Sequence, residues 1–155
     1  MSNHQLIETF YTAFQSGDAD TMADCYHDQA TFSDPAFGKL ENGEVRDMWR
    51  MLLERSQGKL SVTFSGVQAD GESGTARWEA KYPFSKTGRM VHNRISARFK
   101  FADGKIIEHR DEFDLWKWSG MALGLPGKLL GWAPFFQQKI RNTALASLRK
   151  WQQQR

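Results

Sequence analysis

The sequence predicts an α+β domain: a cone-shaped, curved antiparallel sheet wrapped over three N-terminal helices, followed by a C-terminal helical extension. Two changes of pattern along the 155 residues support this prediction. Up to residue 57 the apolar residues recur at helical spacing, whereas from Leu60 onward they alternate with polar residues. After Trp118 the alternation stops, and glycine and proline interrupt an apolar segment. We therefore predict a main domain of residues 1–118 and an extension of residues 119–155.

The first two predicted helices are short and are separated by a tight turn. Ser2 and Gln5 have the spacing of a capping box, which predicts the start of the first helix. Gly17 is suited to end that helix, and Asp18 is suited to cap the second. The apolar stripes are Ile7, Phe10, Tyr11 and Phe14 in the first helix, Met22, Cys25 and Tyr26 in the second, and Val45, Met48, Trp49, Leu52 and Leu53 in a third near residues 41–57.

The segment between the second and third helices, residues 30–38, carries an aspartate before a proline. Pro35 stops a helix and forces Asp34 towards an extended conformation, so Asp34 lies at a strand end or in a loop. Two roles are open for this carboxylate. Aspartate before proline commonly shapes a turn, and a strand end can also bring a carboxylate to a cavity.

Strands with period-two alternation follow the helices and are joined by glycine-containing turns. The turns fall near residues 70–74, 86–89 and 103–104. Hairpins in series after helices are typical of an α+β fold with a curved antiparallel sheet. The predicted inward residues are Leu60, Val62 and Phe64, then Ala76, Trp78, Ala80 and Tyr82, then Val91, Asn93, Ile95, Ala97, Phe99 and Phe101.

The last predicted strand, residues 104–118, places two ionisable groups on its apolar face. Its charged residues alternate with Ile107, His109, Asp111, Phe113 and Leu115. Burying an imidazole or a carboxylate is costly unless the group is hydrogen-bonded or neutral. We therefore predict that His109 and Asp111 line a cavity. The alternative is a satisfied His–Asp pair that holds the core together.

Composition and charge exclude several classes of protein. Seven of the 21 Lys and Arg lie in residues 117–155, where no acid occurs, so the net charge of +3 belongs to the tail and does not indicate nucleic-acid binding. The single cysteine, Cys25, predicts a packing role and a reducing compartment. No signal-peptide pattern and no apolar run of membrane-spanning length occur, which predicts a cytoplasmic protein. Scattered histidines, no cysteine pair and no glycine-rich phosphate loop predict neither a metal nor a cofactor.

Three segments, together with the order of the predicted elements, match a known pattern. They are Ser-Gly-Asp at residues 16–18, Ala-Thr-Phe-Ser-Asp-Pro-Ala-Phe-Gly at residues 30–38 and Asp-Gly-Lys-Ile-Ile-Glu-His-Arg-Asp at residues 103–111. Residues 4–118 thereby resemble the nuclear transport factor 2-like superfamily, which includes ketosteroid isomerase, limonene epoxide hydrolase and the SnoaL-like polyketide cyclases. The resemblance implies the fold and not one reaction, because this fold hosts many chemistries and plain binding modules.

Two of these families imply acid/base chemistry at particular residues. In the resemblance to ketosteroid isomerase, Asp34 falls on the proton-abstracting aspartate, but Phe10 and Ala97 replace the two oxyanion donors. In the resemblance to SnoaL-like cyclases, His109 and Asp111 match a last-strand aspartate that acts as acid/base near a histidine.

The resemblance to limonene epoxide hydrolase implies a different use of the same strand. Asp111 falls on the catalytic acid of that family, and Arg77 and Glu79 resemble its Arg-x-Asp pair. Phe32 and Asp34 replace the Tyr and Asn that hold the attacking water. The alternation of the strand instead places Arg77 and Glu79 on its polar face, so the two interpretations of this pair conflict.

The leading functional hypothesis is a pocket protein for a small hydrophobic molecule, acting as a cofactor-free acid/base isomerase or a polyketide-cyclase-like enzyme. A carboxylate in an apolar pocket has a raised pKa and can move protons near neutral pH. The predicted catalytic residues are Asp34, His109 and Asp111. The alternatives are a non-catalytic ligand-binding module, an epoxide hydrolase-like enzyme and a membrane-peripheral protein. The predicted pocket walls are Phe10, Phe14, Trp49, Trp78, Asn93 and Phe113.

Two surfaces are predicted to make further contacts. The polar outer face of the sheet, with residues such as Arg94 and Arg98, is suited to a wet homodimer interface. The apolar tail is predicted to pack as a helix over its own domain or that of its dimer partner, because its stripe is too long to leave in water. The competing interpretation is a membrane-surface segment, since Trp132, Phe135 and Phe136 lie beside Lys139 and Arg141.

Overall fold

The structure, a computed structural model, describes residues 1–155 and contains six helices and six strands. The elements follow in the order α1 (Asn3–Ser16), α2 (Ala19–Asp24), β1 (Tyr26–Asp34), β2 (Gly38–Glu41), α3 (Gly43–Ser56), β3 (Ser61–Ala69), β4 (Ser73–Pro83), β5 (Met90–Ala102), β6 (Lys105–Glu112), α4 (Leu115–Leu123), α5 (Leu125–Leu130) and α6 (Pro134–Gln154). The predicted α+β class with an N-terminal group of helices and a helical extension is confirmed.

One sheet contains all six strands in the order β2-β1-β6-β5-β4-β3. The pairs are antiparallel except β1 with β6, which are parallel. This parallel pair sets Phe32 opposite His109, and β5 sets Ala97 opposite Asp111. The sheet therefore places β1, from the beginning of the domain, directly beside β6, from its end.

Caps define the first two helices as predicted. The Ser2 hydroxyl accepts a hydrogen bond from the backbone of Gln5, whose side chain bonds the backbone of Ser2 in return. Gly17 ends α1 with a positive φ of 74°, which glycine adopts without strain. The Asp18 carboxylate accepts from the backbone of Thr21 at 3.1 Å and caps α2.

The structure corrects the assignment of Tyr26, which the apolar spacing places on α2. Helix α2 ends at Asp24, and Tyr26 is the first residue of β1. It pairs with Ile106 of β6, whose N–H donates to the carbonyl of Cys25 at 2.9 Å, so sheet pairing takes precedence over the helical spacing of Met22, Cys25 and Tyr26. A short hairpin partner, β2, follows the strand.

The last strand is shorter than predicted. It ends at Glu112, and the Asp114 carboxylate accepts a hydrogen bond from the backbone of Lys117 at 3.0 Å, which caps α4. Leu115 therefore begins a helix instead of ending a strand. It packs in a small buried cluster with Val91, Trp118 and Ala122.

The C-terminal extension packs on its own domain, as predicted. The Leu148 side chain of α6 is fully buried in the main core. Near the end of α6, the Trp151 indole donates to Glu54 at 2.7 Å, and Arg155 pairs with Asp47 at 2.6 Å. None of the helices is both long and apolar enough to cross a bilayer.

Candidate active site

A cavity of about 550 Å³ lies between the inner face of the sheet and the helices α3, α4, α5 and α6. Its walls are mostly apolar and aromatic. The extension contributes one side of the cavity through Leu123, Pro126, Phe136, Ile140 and Ala144. Five of the six predicted wall residues line the cavity: Phe14, Trp49, Trp78, Asn93 and Phe113.

Phe10, the sixth predicted wall residue, does not line the cavity. Its side chain is fully buried behind the wall. The ring packs edge-on against Tyr26 at 5.5 Å, Trp49 at 5.7 Å and His109 at 5.7 Å between ring centres. The helical stripe correctly predicted that the Phe10 side chain points inward. Other side chains lie between it and the cavity.

Asp34 lies at the end of β1 and lines the cavity. Its Oδ1 accepts hydrogen bonds from the backbone of Ala36 at 2.9 Å and Phe37 at 2.6 Å. Both roles considered for this residue are therefore present, because one oxygen shapes the turn after Pro35 while the carboxyl faces the cavity. Burial raises the pKa of Asp34 to about 7 from its ordinary value of 3.8, with the Asp111 charge adding to the shift.

A chain of side-chain hydrogen bonds, the polar relay, connects Trp49, Tyr26, His109, Asp111 and Trp78. The Trp49 indole donates to the Tyr26 hydroxyl at 2.9 Å, so the Tyr26 proton is left to be donated to His109 Nδ1 at 2.7 Å. His109 Nε2 then carries the ring proton and donates it to Asp111 Oδ1 at 2.8 Å. Burial raises the pKa of Tyr26, which keeps its hydroxyl protonated. The network fixes the tautomer of His109.

His109 is fully buried and does not line the cavity, which corrects the prediction that it faces the ligand. Phe99 packs against its ring with centres 4.4 Å apart, and the rings of Phe10 and Phe32 pack edge-on against it at 5.7 Å and 5.0 Å. The aromatic neighbours leave no face of the imidazole open. His109 therefore contacts a ligand only through Asp111.

Asp111 lines the cavity beside Asp34. Its Oδ1 accepts from His109 and, more weakly at 3.4 Å, from the Trp78 indole. Its second oxygen, Oδ2, has no hydrogen-bond partner in the protein. The relay thus holds one oxygen of the carboxylate and leaves the other available at the cavity wall.

Two hydrogen-bonding groups in the cavity were not predicted as chemical groups. The Trp118 indole donates to the Tyr82 hydroxyl at 2.8 Å, which leaves the Tyr82 proton without an acceptor in the protein. Burial raises the pKa of Tyr82, so the hydroxyl stays a donor at neutral pH. The Asn93 carboxamide lines the same cavity and makes no hydrogen bond within the protein. The alternation of β4 and β5 predicted both side chains to point inward, but nothing local distinguished them from wall residues.

The pair that resembles the Arg-x-Asp of the epoxide hydrolases lies outside the cavity. Arg77 is exposed and packs beside Gly66 on the outer face of the sheet. Glu79 accepts from His92 at 2.6 Å and lies 3.5 Å from Arg94, and the His92 hydrogen bond lowers the pKa of Glu79. The alternation of β4 predicted this placement, and the interpretation drawn from the resemblance is wrong for these two residues.

The raised pKa of Asp34 predicts a pH-dependent stability. The folded protein binds this proton more tightly than the unfolded chain, so stability falls as pH rises from 3.8 through about 7. Asp34→Asn, which cannot ionise, is expected to be more stable than the parent protein at pH 8 by up to about 4 kcal/mol. Near pH 4 the two proteins should unfold alike. Urea unfolding across this pH range checks the expectation, and equal stability at pH 8 would contradict it.

Comparison with known proteins identifies the fold. Residues 7–109 match the model of the SnoaL-like domain. An LEH-like epoxide hydrolase from M. tuberculosis shares 23% identity, with 85% of this chain and 92% of that chain covered and a TM-score of 0.57. A proposed polyketide cyclase from Xanthomonas campestris shares 19% identity, with 77% and 98% covered and a TM-score of 0.61.

A further solved structure gives the same result for the fold. Bal32a, from a soil-derived mobile gene cassette, shares 19% identity, with 76% of this chain and 93% of that chain covered and a TM-score of 0.66. No curated protein sequence matches the chain. At these identities the structural neighbours establish the architecture and leave the chemistry to the residues of the cavity.

Proposed function

The chain belongs to the SnoaL-like domain family, and from this premise we propose that it is a cofactor-free acid/base catalyst acting on a small hydrophobic carbonyl compound, as an isomerase or a cyclase. The observation that carries the proposal is the pair of carboxyl groups, Asp34 and Asp111, at one apolar cavity. Carboxyl groups in such surroundings can take and give protons near neutral pH.

Asp111 is the proposed base. Its Oδ2 lies at the cavity wall without a partner, while His109 and Trp78 hold Oδ1. A proton from the carbon next to a bound carbonyl would move to Oδ2, and the electron pair of that C–H bond would move onto the carbonyl oxygen. His109 is a positioning residue in this scheme, because it reaches the substrate only through Asp111.

Tyr82 and Asn93 are the proposed partners of the carbonyl oxygen. The proton of the Tyr82 hydroxyl has no acceptor in the protein, and the Asn93 carboxamide offers a second donor. Donors already aimed at a developing enolate lower the barrier without reorganisation. These two residues would replace the oxyanion donors that are absent at Phe10 and Ala97.

Asp34 is the proposed proton donor in the second half of the reaction. With a pKa of about 7 it is about half protonated at neutral pH. When the substrate carries a carbon–carbon double bond next to the deprotonated carbon, the enolate is a dienolate, and the Asp34 proton would move to its γ carbon. The electron pair on the oxygen then re-forms the carbonyl, and the double bond shifts into conjugation with it. The proton held by Asp111 then returns to Asp34 through solvent, so the protein regains its starting state.

The epoxide hydrolase alternative has less support. The structural neighbour from M. tuberculosis favours it only through the shared fold. The residues that resemble its Arg-x-Asp pair lie on the outer face, with Arg77 exposed and Glu79 bound to His92. An epoxide opened in this cavity would have Asp111 as acid but no matching pair to hold the water.

Solvent-deuterium exchange tests the proposal without knowledge of the natural substrate. The protein would be incubated in deuterium oxide with β-tetralone and with larger aromatic ketones, and loss of the signal of the carbon-bound proton would be followed by NMR. We expect exchange faster than in buffer for at least one ketone, and loss of that exchange in Asp111→Asn. A ketone that binds without any exchange would overturn catalysis in favour of a ligand-binding module.

Tyr82→Phe isolates the contribution of the carbonyl donor. Because one hydroxyl proton is removed and the ring is kept, we expect the exchange rate to fall about a hundredfold. Tyr11→Phe is the matched control, since Tyr11 is buried and does not line the cavity. The Tyr11 hydroxyl is also the one buried side-chain polar atom without a partner, so its removal should raise stability by about 1 kcal/mol or more. Equal rates in parent and Tyr82→Phe would contradict the assigned role.

A further inference from the structure

The outer surface formed by α4 and the C-terminal extension carries a group of large apolar side chains, here called the cap patch. Six of the chain's eight exposed large apolar residues belong to it. Leu125 is 65% exposed, Leu129 62% and Phe135 67%. The full cap patch is Trp116, Leu125, Leu129, Leu130, Trp132 and Phe135.

Specific contacts gather the cap patch around the C-terminal end of α5. The Trp116 indole donates to the backbone carbonyl of Lys128 at 2.9 Å, and the Trp132 indole donates to that of Leu129 at 2.9 Å. Both polar N–H groups are therefore satisfied within the protein while the rings remain exposed. Two tryptophans, one from α4 and one from the loop after α5, flank the leucines of a single turn.

A seam of small residues keeps these side chains on the outside. Gly127 and Gly131 of the α5 segment pack directly on Ser119 of α4, and a methyl group at either glycine would overlap Ser119. The Ser119 hydroxyl also bonds the carbonyl of Gly127. Because the two helices are in backbone contact, no space remains between them into which Leu129 or Leu130 could turn.

The extension and the β4–β5 hairpin beside it carry cations and no acid. Residues 115–155 contain no acid, and neither do residues 80–102, which include the β4–β5 hairpin. That hairpin joins the extension, because Arg89 donates to the carbonyl of Met121 at 2.9 Å and packs beside Gly124. The nearest acid along the chain is Asp114, whose carboxylate caps α4.

We propose that the cap patch docks on a lipid surface that contains anionic headgroups. Exposed leucine and phenylalanine can enter the boundary between headgroups and acyl chains, and tryptophan prefers that boundary. Lys117, Lys128 and Arg89 add electrostatic attraction to anionic lipids. A second copy of the chain is a poorer occupant, since pairing two cap patches would bring cations of equal sign together.

The same elements border the cavity from the other side. Leu123 and Pro126, next to the cap patch, and Phe136, next to Phe135, line the cavity wall. A docked protein would therefore hold its cavity close to the bilayer, where small hydrophobic molecules concentrate. Docking itself does not depend on the proposed acid/base reaction, so the two can fail separately.

Co-sedimentation with vesicles tests the docking. The probes are vesicles of phosphatidylcholine alone and vesicles with about a third phosphatidylglycerol. We expect binding to the anionic vesicles only. Leu129→Ser/Phe135→Ser should weaken it about tenfold or more. Lys117→Gln/Lys128→Gln should weaken it about fivefold for each lost charge.

The control variant Arg149→Gln/Lys150→Gln removes equal charge from the exposed far end of α6, outside both the cap patch and the predicted dimer face, and should bind like the parent protein. Circular dichroism checks that each variant is folded. Absence of binding by the parent protein, or equal binding by the parent and both cap-patch variants, would overturn the proposal. A parent dimer that dissociates in the Leu129→Ser/Phe135→Ser variant, without vesicle binding, would overturn it too and assign the cap patch to a second copy.

Discussion

Replacing Asp111 with asparagine is expected to lower the rate of deuterium exchange by about a thousandfold. The asparagine side chain keeps the shape of aspartate and an oxygen that can accept from His109 and Trp78. It places an amide group, which is not a base, where Oδ2 lies. The rate should be measured with the ketone that gives the fastest exchange in the parent protein.

The stability of Asp111→Asn separates catalysis from structure. Because the hydrogen bonds to Oδ1 can be kept, we expect the free energy of unfolding to change by about 1 kcal/mol or less. A large loss of stability combined with an unchanged exchange rate would show a structural His–Asp pair, which is the alternative considered from the sequence. Near-parent stability with lost exchange is the result that the proposed role requires.

His109→Leu is expected to destabilise the protein by about 3–5 kcal/mol. Leucine fills similar space but makes neither hydrogen bond of the imidazole. Asp111 Oδ1 then keeps only the Trp78 donor at 3.4 Å, and the buried Tyr26 hydroxyl loses its acceptor. Urea unfolding at neutral pH gives the free energy.

A double-mutant cycle assigns part of that loss to the relay. Tyr26→Phe removes the hydroxyl. In that background His109→Leu no longer leaves a buried hydroxyl without an acceptor, as it does in the parent protein. The double variant should therefore lose less stability than the sum of the single variants, by about 1 kcal/mol. Strict additivity, or a His109→Leu loss below about 1 kcal/mol, would contradict an energetically coupled relay.

Local sequence patterns predicted most of the fold because the responsible interactions are local. The Ser2 capping box, the glycine at residue 17 and the turn at Gly104 each act within a few residues. The alternation of β4 also placed Arg77 correctly on the outer face, in conflict with the resemblance to epoxide hydrolases. Period-two alternation reports the face of a strand directly.

The errors fall where two local patterns coincide. Tyr26 continues the helical spacing of Met22 and Cys25, but it pairs in the sheet with Ile106, which lies 80 residues later. Asp114 continues the alternation of β6, yet an aspartate is also a helix cap, and the cap prevails. In each case the deciding partner is a tertiary contact or a side-chain hydrogen bond that spacing does not record.

The candidate site was predicted in its carboxylates and in most of its wall residues, but not in its hydrogen-bond donors or in the wall that the extension adds. The apolar face of β6 indicated that His109 and Asp111 point inward, but alternation cannot tell a cavity wall from the layer behind it. The Tyr82 hydroxyl proton is free for a ligand because the Trp118 indole of α4 donates to the hydroxyl oxygen, a contact between two distant parts of the chain. The closing wall formed by α5 and α6 depends on packing across the whole chain, which no short motif encodes.

The parallel pairing of β1 with β6 has a consequence for how the protein reaches its native state. Tyr26 and His109 are 83 residues apart, and the pair between Arg155 and Asp47 spans 108. Closing loops of this length costs chain entropy before any contact offsets it. During synthesis the β1–β2 hairpin can form early, but the sheet is incomplete until β6 leaves the ribosome, and α6 docks on α3 only at the end. We expect slow refolding for a chain of this size, with the cavity as the last region to become ordered.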